Sequence, residues 1–177
     1  MARKARDIDD GTFALFTAGC TAFEAGRYVE AKRVFLKAAA LGDAGSANNL
    51  GVIHCGAPPR WKDYRKAMIW FKRAWRLEPT ASHCSNIAST YDDMGNRRLA
   101  ASWWKRAQFP RAGGNAVDYA KFLMRGKRVD RRQVVRLLRK ALKCKPWLEI
   151  SEDALEEAEA LLNKYSVRRK RISSPSS

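Results

Sequence analysis

Long apolar runs are missing from this chain. No stretch approaches the roughly 18–20 apolar residues that a membrane-spanning helix needs, so a helical span is not expected. The opening, "MARKARDIDD", is basic but runs into aspartates instead of an apolar segment, so it does not read as a secretory leader. Cysteine is sparse. Cys20, Cys55, Cys84 and Cys144 form no CxxC pair and no tight framework, which points to reduced thiols in a cytoplasmic protein. Acidic residues are few as well: 18 Asp+Glu against 35 Lys+Arg leave a net charge of +17, which predicts attraction to an anionic partner. Missing too are a glycine-rich phosphate loop, a GxSxG elbow and an HExxH pair. The acids and the two histidines form no plausible triad, so the chain reads as no enzyme, with no cofactor.

What is present is material for a core. Apolar residues make up 46% of 177 residues and six tryptophans are among them, which argues for a folded domain and against disorder. The stretch "MIWFKRAWRLEP" (68–79) interleaves aromatics with basic residues, the pattern of a base-stacking platform or of one buried helix with a wet back.

A repeat favours the second reading. "EAKRVFLKAAALG" (30–42), "RKAMIWFKRAWRLEP" (65–79), "RLAASWWKRAQFP" (98–110) and "RQVVRLLRKALKCKP" (132–146) align on Ala38, Ala74, Ala107 and Ala141, at steps of 36, 33 and 34 residues. Each alanine follows a bulky residue (Phe35, Phe71, Trp104, Leu138) and, four further back, a small one (Ala31, Ala67, Ala100, Val134). That spacing of i, i+4, i+7 is one face of a helix, and its recurrence at this period signals stacked helical hairpins. First helices fit 12–26, 44–56, 80–95 and 115–126, three of them closing on Gly26, Gly95 and Gly126. Pro79 and Pro146 are read as helix stops. The segment 150–165 has Ser151 as N-cap, acids in its first turn and an apolar stripe, as a terminal cap requires.

The expected fold is therefore all-α: a right-handed α-solenoid of about four helix–turn–helix repeats (11–42, 43–79, 80–112, 113–146) with a capping helix over 150–165. One domain spans 11–165, between an arm over 1–10 and a basic Ser/Pro tail over 166–177.

At "KAAALGDAGSANNLG" and "DYRKAMIWFKRA" the chain resembles the Sel-one-like repeat, through Ala47, Leu50, Gly51, Asp63, Lys66, Ala67, Trp70, Phe71 and Ala74. The four extra residues in "CGAPPRWKDY" match that type's longer inter-helix loop; the later units resemble plain tetratricopeptide repeats more loosely, Phe122 standing where a small residue is usual. The resemblance covers about 12–146 and implies a non-enzymatic scaffold or adaptor for a protein partner. In bacteria it further implies secretion chaperones or toxin-neutralising (immunity) proteins.

Two surfaces follow. On the second helices, Arg65, Lys72, Arg76, Arg98, Lys105, Arg132, Arg136, Arg139 and Lys143 point away from the triads, a basic ridge densest on the fourth unit. Its plain alternative is an ordinary solvated helix face. It suits an acidic protein, or nucleic acid held by phosphate contacts, although no base-reading motif accompanies it. On the first helices, Asn49 and Asn86 occupy equivalent places, two residues before Gly51 and Ala88, where an amide can satisfy an extended peptide. Amides that only cap local backbone would look the same. The lysines and arginines of a carboxylate clamp are missing there. Phe13, Phe16 and Phe23 make the first unit's groove apolar; Ser82, Ser85, Ser89, Asp92 and Asp93 make the third polar to acidic.

His54–Cys55 and His83–Cys84 tempt a zinc reading, but the register sets the pairs eight residues apart, about 12 Å along a helix. Ligands must approach to about 2.0–2.3 Å, so no metal is expected. The tail run Arg168, Arg169, Lys170, Arg171 is compatible with an anionic partner, a localisation signal, a kinase site at Ser173, or plain disorder.

Overall fold

Every triad position is buried: Ala31, Phe35 and Ala38; Ala67, Phe71 and Ala74; Ala100, Trp104 and Ala107; Val134, Leu138 and Ala141. The spacing read from the sequence is thus the buried face of each second helix. The computed structural model describes residues 10–56, 58–108, 113–146 and 149–172, with 10 and 166–172 described by backbone alone. The arm over 1–9 and the tail from Ser173 lie outside the described residues, as do the side chains of Arg168, Arg169, Lys170 and Arg171.

The described residues form α1 (Asp10–Glu24), α2 (Tyr28–Ala40), α3 (Ala44–Gly56), a 3-10 turn (Pro59–Trp61), α4 (Tyr64–Leu77), α5 (Ala81–Asp93), α6 (Arg97–Arg106), α7 (Gly113–Met124), α8 (Arg131–Ala141) and α9 (Glu152–Ile172). The architecture is an all-α helical-repeat solenoid. The sequence reading has one domain; the chain folds as two compact units, Met1–Trp103 and Trp104–Ser177, with the boundary inside α6.

In the first unit each helix from α1 to α5 packs on the next. Phe35 is fully buried among Ala22, Leu50 and Ile53, a burial that contributes about 1.5–3 kcal/mol. Phe71 does the same with Ala67, Met68 and Ile87. The aromatics of 68–79 belong to this packing. Trp70 is half-buried against the Phe35 cluster, and Trp75 meets Trp103 edge-on at 5.2 Å. Arg73, between them, donates from Nη2 to the Ala39 carbonyl at 2.7 Å, tying α4 to the C-terminal end of α2. No base-stacking platform is left exposed there.

Helix ends follow local chemistry. Asp63 caps α4 by accepting from the Lys66 N–H, Thr80 caps α5 through the His83 N–H, and Asp130 caps α8 through the Gln133 N–H. Gly26 and Gly95 take φ of 73° and 76°, the left-handed turn that a side chain resists.

In the second unit α8 packs on α7 and on α9. Trp104 stacks on Tyr119 at 6.2 Å, and Phe122, the residue that departs from the repeat pattern, is buried beside both. Two boundaries differ from expectation. α8 stops at Ala141, five residues before Pro146, where the backbone tightens into i→i+3 turns, Lys143 N donating to Lys140 O and Cys144 N to Ala141 O. α9 continues past Tyr165 to Ile172, since no Gly or Pro stands in "SVRRKRI" to end it.

Candidate functional site

Two surfaces emerge, one in each unit. The first is built by α1, α3 and α5, which meet through a few side-chain contacts. Asn86 on α5 donates from Nδ2 to Asn48 Oδ1 at 2.7 Å, and Asn49 on α3 reaches Cys20 Sγ on α1 at 3.6 Å. The amides of α3 and α5, with the Cys20 thiol of α1, therefore mark a polar strip across three first helices. Asn48, Asn49 and Asn86 are all half-buried, so water and a ligand still reach them. Each amide has two donors and an acceptor with two lone pairs, and one hydrogen bond leaves most of that capacity open.

The sequence treats Asn49 and Asn86 as equivalent rungs. Equivalent positions do not face each other here, and the partner of Asn86 is Asn48, which the sequence reading missed. Its only signal is adjacency to Asn49. Around the strip, Ser82, Ser89 and Asp93 are exposed, Ser85 Oγ donates to Ser82 O at 2.9 Å, and Asp92 is 3.2 Å from Arg97. Of the three phenylalanines, Phe13 alone is largely exposed, at 63%. Phe16 and Phe23 are half-buried on the Phe35 cluster, so the apolar end of the strip is narrower than the sequence suggests. Phe23 also meets Tyr28 edge-on at 5.4 Å. Burial first, then Glu24, pushes the Cys20 thiol up from its ordinary pKa, and the Asn49 contact opposes this.

The His–Cys pairs are used within the packing. His83 Nδ1 lies 2.7 Å from Glu78 O, and Cys55 Sγ lies 3.7 Å from Thr90 Oγ1. Among the described residues no three His, Cys, Asp or Glu side chains gather closely enough to hold a metal ion.

The second surface lies on α8 and α9. Arg132, Arg136, Arg139 and Lys143 are exposed, opposite the buried Val134, Leu138 and Ala141. They line an open cleft of about 920 Å³, which Arg131, Val135, Lys140 and Tyr165 complete. In the first unit Arg65, Arg76 and Arg98 are exposed, while Lys72 sits 5.5 Å over the Tyr91 ring. Lys105, at the start of the second unit, is exposed.

Among the described residues no helix is long and apolar enough to cross a membrane. A scan against family models returns no match, and neither does a search of curated proteins. Solved structures do match. The chain is similar to the MamA protein at 14% identity and a TM-score of 0.61, over 90% of this chain and 88% of that one. It is similar to a Sel1 repeat protein from Oxalobacter formigenes at 19% identity and a TM-score of 0.62, over 83% and 70%. It is also similar to a protective antigen of uropathogenic Escherichia coli with an SLR fold, at 16% identity and a TM-score of 0.62, over 94% of this chain and 49% of that one. At these identities the likeness is one of fold.

Proposed function

We propose that this chain is a non-enzymatic helical-repeat adaptor, and that it holds a protein partner along the inner strip of α1, α3 and α5. The observation that carries the reading is the Asn86–Asn48 amide pair, half-buried on the first-helix face with spare donors and acceptors. An extended or helical segment needs its backbone or side-chain polar groups satisfied when it is bound, and such amides do that. The fold's likeness to Sel1 repeat structures supports an interaction role. The sharper form is a toxin-neutralising protein or a secretion chaperone, which would keep one partner inactive or unfolded until it is needed.

The test is capture from the native lysate on the tagged chain, with and without nuclease, followed by the Asn49→Ala/Asn86→Ala variant. The reading predicts a stoichiometric protein that survives nuclease and is lost from the variant. A mixed catch that disappears with nuclease would replace it with phosphate-backbone binding through the basic side chains.

A further inference from the structure

We propose that the cleft between α8 and α9 is a second docking surface, and that its occupant is an acidic amphipathic helix of a protein partner. The inference rests on the protein-binding reading only for the class of partner, and it concerns a different unit of the chain.

Uncompensated charge is the first ground. Arg132, Arg136, Arg139 and Lys143 follow one another at i, i+4, i+7 and i+11, and among the described residues no acid pairs with any of them. Like charges at these spacings repel along the helix, and α8 contains no Glu or Asp to relieve them. Of the acids of α9, Glu157 meets Lys121 of α7 at 2.8 Å. A surface that keeps this arrangement is complementary to a row of carboxylates supplied from outside. Arginine, at three of the four places, is the side chain that engages carboxylates through two parallel hydrogen bonds.

The cleft is also not uniformly polar. Val135 and Tyr165 line it, both half-buried, and make its apolar floor. A purely ionic ligand would leave that floor uncovered, whereas a helix with an apolar face beside its acidic row would fill it. Pitch favours a helix as well. The basic row advances about 16.5 Å over its eleven residues, and acids at the same spacings on a second helix keep step with it. An extended segment places same-side residues about 6.7 Å apart, so four of them span about 20 Å and drift out of register.

The test uses the full chain and three labelled probes followed by fluorescence anisotropy. The first is a helical peptide of about 18 residues, ~27 Å long, with Glu at i, i+4, i+7 and i+11 and Leu on the adjoining face. The second replaces each Leu by Gln, and the third is an oligo-uridylate of similar charge. The first probe is expected to bind at least tenfold more tightly than either of the others. Arg136→Glu/Arg139→Glu should weaken it at least thirtyfold, Arg136→Gln/Arg139→Gln by less, and Val135→Gln about fivefold, with circular dichroism unchanged. Asn86→Ala should leave it unaffected, so failure here is distinct from failure at the inner strip. The proposal is overturned if the first probe does not bind, if the Gln peptide binds equally well, or if the oligo-uridylate binds as tightly.

Discussion

The ring of Phe71 lies against the bare backbone of Gly51, so closely that a β-carbon at position 51 would overlap the ring. Phe35 and Gly19 repeat the relation one hairpin earlier, where an added β-carbon would come within 2.5 Å of Cε1. Glycine on the first helix and phenylalanine on the second are thus one device used twice.

Gly51→Ala should therefore destabilise the first unit in spite of alanine's better helix propensity. Overpacking of this kind costs about 1–3 kcal/mol. In a chain of this size each kcal/mol shifts the melting temperature by roughly 2–4 °C. Thermal circular dichroism measures it, and an unchanged Tm would mean that the ring slides aside freely.

Asn86→Ala removes a half-buried bond between α5 and α3, at a cost of about 0.5–1.5 kcal/mol in stability. If the strip holds the partner, the loss in partner affinity should exceed that stability change, read by titration well below the melting range. A variant as tight-binding as the parent would remove the strip from the binding surface.

His54 is buried and its Nδ1 finds no partner. Burial first, then nearby Lys32, lowers its pKa below the ordinary 6.5. The unfolded chain then takes up the proton first as pH falls. Stability from this residue is full above about pH 6.5 and declines as the pH drops from there toward the folded value. His54→Leu should flatten that part of a Tm-against-pH profile. Parallel profiles for parent and variant would show that the residue does not contribute.

The thiols should be slow to react. Burial is the chief cause raising Cys20, Cys55 and Cys144 above their ordinary pKa, which leaves little thiolate near neutral pH. Cys84 is 1% exposed. Alkylation by iodoacetamide, followed by mass spectrometry, should label the first three more slowly than free cysteine, and Cys84 only after unfolding. Rapid labelling of Cys84 in the folded chain would contradict its burial.

Arg73→Ala should loosen the junction between the first two hairpins by removing the donor to Ala39 O. The expected cost is about 1.5–3 kcal/mol because the donor is charged. Arg73→Lys should recover only part of it, since a lysine cannot reproduce the guanidinium's geometry. Equal stability of all three chains would assign the bond no weight.

The sequence by itself determined the buried faces. A small–large–small triad recurring about every 34 residues has one economical burial, in stacked hairpins, because each amphipathic face needs a neighbour to cover it. Helix ends were legible where a left-handed glycine or a capping hydroxyl marked them, at Gly26 and Gly95 and at Ser151, whose Oγ accepts from the Ala154 N–H at 3.4 Å. They were not legible at Ala141, where α8 closes in local turns with no glycine or proline to mark the end and Pro146 stands five residues on.

Tertiary structure alone decided which surface residues meet. Periodicity assigns a residue to a face, but the offset between neighbouring helices decides which side chains touch. So Asn86 found Asn48, and Phe16 and Phe23 were drawn onto the core while Phe13 stayed out. The cleft of the second unit needed α9 to pack on α8, which placed Tyr165 beside Arg132, Arg136 and Arg139, 26 to 33 residues earlier in the chain. Local pattern carries no information about such distances, because they are set by how whole helices pack.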